Sequence, residues 1–116
     1  MFRFVALSLL LAGSAGAAEL TFDIRIEGDR IPDAMQLIRV QEGDSVKLRW
    51  SSDRPLTLHL HGYDIEKRLG GDAVTELSFK AYATGRFPIE IHPAKAGAGG
   101  AAHGDAPLAV IEVYPR

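Results

Sequence analysis

The stretch TLHLHGYD, Thr57 to Asp64, alternates apolar and polar residues in strict period two until a glycine breaks it. Successive side chains of a β-strand point to opposite faces. Leu58 and Leu60, with Leu56 before them, therefore share one face, and His59 and His61 share the other. A helix would scatter the same residues around its surface, so the pattern selects strand. Side chains at i and i+2 spring from Cα atoms roughly 6.6 Å apart. Two imidazoles at that spacing can lean towards one metal ion at bonds of about 2 Å. They can equally be two polar residues on a wet face, and an H-x-H pair alone does not separate these readings.

Working outward, the same period recurs. ELTFDIRIE sets Leu20, Phe22, Ile24 and Ile26 against polar neighbours, and VKLRW aligns Val46, Leu48 and Trp50. VTELSFKAYA turns Leu77, Phe79 and Ala81 inward, and TGRFPIEIH does so with Phe87, Ile89 and Ile91. MQLIRV and LAVIEVYPR complete the apolar segments, with turn-rich pieces such as GDRIPDA, QEGDS and SSDRP between them. YDIEKRLGGDA reads as a connection that holds at most a short irregular strand or turn, and PAKAGAGGAAHGDAP as a Gly/Ala loop. About seven short strands and no useful helical period predict an all-β sandwich or barrel in one domain. Pro88 donates no ladder hydrogen bond, so pairing is expected to start after it or to bulge there.

The chain opens MFRFVALSLLLAGSAGAAEL, a basic residue, a short apolar run and then small residues. That is the layout of a secretory signal peptide, with a small-x-small site at Ala15, Gly16 and Ala17. The apolar run is too short to cross a bilayer, which takes about 20 apolar residues. Residues 1–18 thus read as the signal peptide, with the mature start expected near Ala18 or Glu19, leaving residues 19–116 as the exported domain, in the periplasm and without a membrane anchor. A formal net charge of −2 and no basic cluster argue against nucleic acid as a partner. There is no cysteine. The core must suffice without disulfides, and any metal site must use imidazole and carboxylate.

The histidines are His59, His61, His92 and His103. With Ile89 and Ile91 inward, Glu90 and His92 point outward, as His59 and His61 do. If the two strands are neighbours, three imidazoles and a carboxylate meet on one surface. Gly62 lets the strand bend, and Pro93 biases His92 to extended backbone. His103 lies in the glycine-rich loop, where it reads either as a solvated residue or as a fourth ligand folding over the site. Imidazole suits Cu, Zn, Ni and Fe, and Cu(II) stands highest in affinity for nitrogen donors. Glu90 and Asp64 are placed to accept the second imidazole N–H and fix a ring.

IRVQEGDSVKLRWSSDRPLTLHLHGYD, then FKAYATGRFPIEIH, then a loop with histidine, then PLAVIEVYPR, together resemble a bacterial cupredoxin-like domain over nearly the whole mature chain. The resemblance implies a two-sheet Greek-key β-sandwich in which the TLHLHG and RFPIEIH strands pair. In cupredoxins with type 1 copper the loop after the second of these strands brings cysteine, histidine and often methionine. Here Ile91 stands about where the cysteine would, and His103 matches the loop histidine. The axial methionine is missing near Pro107. Without a thiolate the type 1 centre and its electron transfer are not supported. HLHG is also similar to the H-x-H-G motif of multicopper oxidases, and EIH stands where they carry His-Cys-His, with His92 as its second histidine. About half of one such ligand set is present on this chain, and a symmetric oligomer is the route by which two halves would meet.

Three functions follow. The first is an exported metal-binding protein that holds copper, or another divalent metal, through His59, His61, His92 and His103 and acts in metal handling. The second is a metal-free module that meets an envelope protein through a sandwich face or the Gly/Ala loop. The third, with least support because no acid–base constellation accompanies the histidines, is a small type 2 copper oxidoreductase.

Overall fold

The computed structural model describes residues 16–93 and 106–116. Residues 1–15, within the segment read as a signal peptide, and residues 94–105, which include His103, lie outside the described residues. Among the described residues no helix is long and apolar enough to cross a membrane. The chain forms β1 (Glu19–Ile26), a 3₁₀ turn (Asp33–Met35), β2 (Leu37–Gln41), β3 (Ser45–Ser52), β4 (Leu56–Leu60), β5 (Ile65–Leu69), β6 (Thr75–Lys80), β7 (Gly85–Pro93) and β8 (Ala109–Tyr114). Two sheets face each other, one in the order β1-β3-β6 and one in the order β2-β8-β7-β4-β5. The pairs β1–β3 and β2–β8 run parallel, and the other ladders are antiparallel.

Period two decides which residues line the space between the sheets. Leu56, Leu58 and Leu60 of β4 are all fully buried, while Thr57 and His59 between them are half-buried. Val46, Leu48 and Trp50 of β3 and Leu77 and Phe79 of β6 close on them from the opposite sheet. Ile89 of β7 and Ile111 of β8 complete the floor. Fully burying a Leu or Ile side chain contributes roughly 1.5–3 kcal/mol, so the apolar rows account for a core that holds without disulfides. Phe87 and Ile91 pack against that core only in part.

Two sequence expectations are corrected. In YDIEKRLGGDA, expected to hold at most a short irregular strand, Ile65–Leu69 forms a regular β5 against β4 and makes an eighth strand. Leu69 is buried and Ile65 packs on the core, but Lys67 between them is exposed, which masked the alternation. A charge at an inward position of an edge strand also discourages addition of another strand. Pairing in β7 begins before Pro88, at Gly85, and Pro88 sits opposite Val110 without breaking the strand. The Pro88 carbonyl accepts the N–H of His61 at 3.0 Å. The donor that proline lacks would have pointed to the same place, where β4 has already given way to a turn, so the loss is confined to the end of the ladder.

Candidate functional site

The outer face of β4 and β7 collects the histidines because of register. His59 lies opposite Glu90 and Thr57 opposite His92, so these side chains share one surface. His61 continues that row into the turn after β4. The His59 and His61 ring centroids are 4.1 Å apart at 42°, and those of His59 and His92 are 5.6 Å apart at 40°. His59 is the middle ring of the three. Its side chain is 21% exposed against 39% for His61, so the row sinks into the surface rather than standing clear of it.

The polar atoms around these rings are incompletely satisfied. His61 Nε2 lies 3.2 Å from Glu90 Oε1, yet the two are not aligned as a hydrogen bond. The same nitrogen is sealed from solvent without a partner. An orphaned buried polar atom costs roughly 1–3 kcal/mol, and the neighbouring Glu90 oxygen does not relieve that cost. His59 Nε2 is 4.0 Å from Asp64 Oδ1, too far for a hydrogen bond, and the Asp64 side chain is 97% exposed. Of the two expected carboxylates, Glu90 is therefore the one in reach. Among the described residues no three His, Cys, Asp or Glu side chains already converge as a metal cage. The donor chemistry, imidazole with adjoining carboxylate, nevertheless fits a borderline divalent ion.

The turn that places His61 is pinned by an aromatic nest. Gly62 has φ +90°, and a Cβ there would run into the Phe87 ring. The next residue, Tyr63, packs its ring 4.8 Å from that of Phe87 and 4.9 Å from that of Phe79. Its hydroxyl donates to the Ala83 carbonyl at 2.9 Å and accepts the Ala83 N–H at 3.2 Å. Burial pushes the Tyr63 hydroxyl above its ordinary pKa, with the Ala83 bond opposing. Asp64 then takes φ 58°, which Asp tolerates better than most residues. The turn geometry fixes the backbone of His61.

Sequence reasoning missed Glu66 and Arg68. Register sets Glu66 beside His59 and Arg68 beside Thr57 on the same outer surface. The signal that would have found them is the weak Ile65–Leu69 alternation, interrupted by Lys67.

No protein-family model matches the chain, and no curated protein matches it. Solved structures do. The chain is similar to the multicopper oxidase mgLAC, with TM-score 0.61 at 20% identity over 84% of this chain and 39% of that one. It is similar to a blue copper oxidase from Nitrosomonas europaea, with TM-score 0.59 at 20% identity over 84% of this chain and 39% of that one. It is also similar to a copper nitrite reductase from Nitrosomonas europaea, with TM-score 0.58 at 14% identity over 84% of this chain and 42% of that one. In each case the chain spans about two-fifths of the solved protein. At such identities the likeness shows the fold, and the fold is that of a cupredoxin-like domain. More narrowly, it is a cupredoxin-like sandwich whose sequence holds no cysteine, and so no thiolate for a type 1 centre.

Proposed function

We propose that this domain binds a divalent metal ion, Cu(II) foremost, through His59, His61 and His92 on the outer face of β4 and β7. The observation that carries the reading is the close row of tilted imidazoles in which His61 Nε2 has neither solvent nor a hydrogen-bond partner. An ion seated there would take up the orphaned lone pair. His103, from the loop between β7 and β8, supplies a fourth donor, and Glu90, whose Oε1 lies 3.2 Å from His61 Nε2, brings a carboxylate oxygen beside the ion. The copper proteins that share the fold support this choice of metal, with zinc and other divalent ions as competitors. With the signal sequence removed, the domain acts in the periplasm, holding and passing on copper rather than transferring electrons through a type 1 centre. Bound copper would supply Lewis acidity and one-electron chemistry. The residues themselves bind and orient it.

The test is titration of Cu(II) into the purified domain and its His59→Ala and His92→Ala variants. Each substitution is expected to weaken binding by more than about 100-fold, since even supporting residues around a metal are worth 10–100-fold. Unchanged affinity in both variants would falsify the site. Metal analysis of protein taken from its native envelope distinguishes it from a metal-free interaction module.

A further inference from the structure

The Asp44 carboxylate is the one charged side chain among the buried described residues, at 5% exposure, and it lies at the opposite extreme of the metal proposal: it has donors on every side. Its Oδ2 accepts the Gln41 N–H at 2.9 Å. Its Oδ1 accepts the Ala18 N–H at 3.0 Å and an Arg116 guanidinium N–H at 3.1 Å. Ala18, just before β1, and Arg116, just after β8, therefore converge on one oxygen. Arg116 is held further by its Nε, which donates to the Glu42 carbonyl at 3.0 Å. Ala18 is held at its other backbone group as well, since its carbonyl accepts the Ser45 N–H at 2.9 Å. These bonds sit where β1 enters its ladder with β3, with Glu19 opposite Ser45.

Ala18 is also the residue that directly follows the small-x-small run Ala15, Gly16, Ala17. Residues 16 to 19 are exposed, so the bond before Ala18 is open to a protease while the nitrogen behind it already points at a buried carboxylate. We infer that the chain is processed at the Ala17–Ala18 bond and that the new α-ammonium of Ala18 is captured by Asp44, which closes an ion-paired clamp shared with Arg116.

The step is a hydrolysis that needs only water and the peptidase that removes exported leaders. The Ala17 carbonyl carbon gains the water hydroxyl and leaves with the leader as a carboxylate. The Ala18 nitrogen keeps the bond to its own Cα and, once protonated, carries a positive charge. An amide N–H facing Asp44 becomes a charged donor in the same place, and charge-assisted bonds of this kind are roughly twice as strong as neutral ones. Cleavage one residue later would remove both the nitrogen that faces Asp44 and the carbonyl that accepts from Ser45. Cleavage one residue earlier would leave the Asp44 donor an uncharged amide. The structure thus favours one scissile bond among neighbours that composition leaves nearly equivalent, and this holds whether or not the histidines bind metal.

The test begins with the full chain expressed with its own leader in a Gram-negative host. Intact-mass measurement of the exported protein is expected to give a chain that begins at Ala18, and any other first residue overturns the proposal. Thermal unfolding then compares that protein with one that keeps Ala17, in which the ammonium is moved one residue outward. Keeping Ala17 is expected to lower Tm by about 4–8 °C, the shift that a domain of this size shows per kcal/mol. In an Asp44→Asn background the two chain lengths should melt together. Equal melting of the two lengths with Asp44 intact, or an undiminished difference in Asp44→Asn, overturns the clamp. The first comparison uses no substitution and so stands even if the Asp44→Asn protein does not fold.

Discussion

The two outer faces of the sandwich obey the same alternation and end in opposite states. On the β1-β3-β6 face, charge meets charge. Arg49 donates to Asp23 at 2.9 Å and lies 3.8 Å from Glu76, while Arg25 reaches Asp72 at 3.0 Å and Glu27 at 3.3 Å. On the β4–β7 face, imidazole meets imidazole, and one ring nitrogen is left sealed and unpaired. Exposed ion pairs satisfy their own polar atoms and keep a sheet face wet and inert. Crowded imidazoles that do not bond one another leave a ring nitrogen unpaired. The difference shows why polar-out patterning alone says nothing about a site: what matters is whether the outward residues satisfy one another.

Four substitutions break or sharpen that contrast, in decreasing order of expected effect. Leu58→Ala removes a fully buried side chain directly beneath the histidine row and should cost about 2–5 kcal/mol in urea unfolding. A cost below about 1 kcal/mol would mean that the inner row does not support the outer one. Asp44→Asn, at the end of the ion-paired sheet, should cost about 1–3 kcal/mol because a buried, multiply bonded carboxylate is lost. The Ala18 N–H above all, then that of Gln41 and the Arg116 charge, hold the Asp44 carboxyl below its ordinary 3.8 against an opposing burial effect. A depressed carboxylate pKa stabilises the fold above the unfolded value and ceases to do so as pH falls through the folded one. The gap between wild type and Asp44→Asn should therefore be full near neutrality and shrink below about pH 4. A gap that stays constant into acid would refute the charge's role.

Glu90→Gln keeps the shape beside His61 but removes the carboxylate charge, and should reduce Cu(II) affinity about tenfold with little change in folding. An unaltered binding curve would remove Glu90 from the site. Asp23→Asn opens an exposed pair and should change stability by less than about 1 kcal/mol, with no effect on copper. A copper effect from that side of the molecule would erase the distinction between the faces.

Much of this was legible in the alternation itself. Leu56, Leu58 and Leu60 announce β4 and its buried face, and Ile89 does the same for β7, so the outward pairing of His59, Glu90 and His92 followed once the strands were neighbours. Adjacency itself did not come from periodicity, since pairing between strands about thirty residues apart leaves no local pattern; it came from resemblance. β5 was hidden by Lys67, where the demands of an edge strand override the apolar period. The Asp44 clamp was also out of reach, because it joins Ala18, Gln41 and Arg116 through contacts that depend on the folded ends. Nor could a string of residues show that His61 Nε2 would be both close to Glu90 and unbonded, which is a matter of angle rather than spacing.

The most direct measurement is pulsed electron paramagnetic resonance on the Cu(II)-loaded domain with ¹⁵N-labelled histidine. Couplings from His59, His61 and His92 together, reduced by one imidazole in each alanine variant, are the result predicted here. A spectrum with a single imidazole, or one that the three substitutions leave unchanged, would contradict the claim that two neighbouring strands hold one metal ion between them.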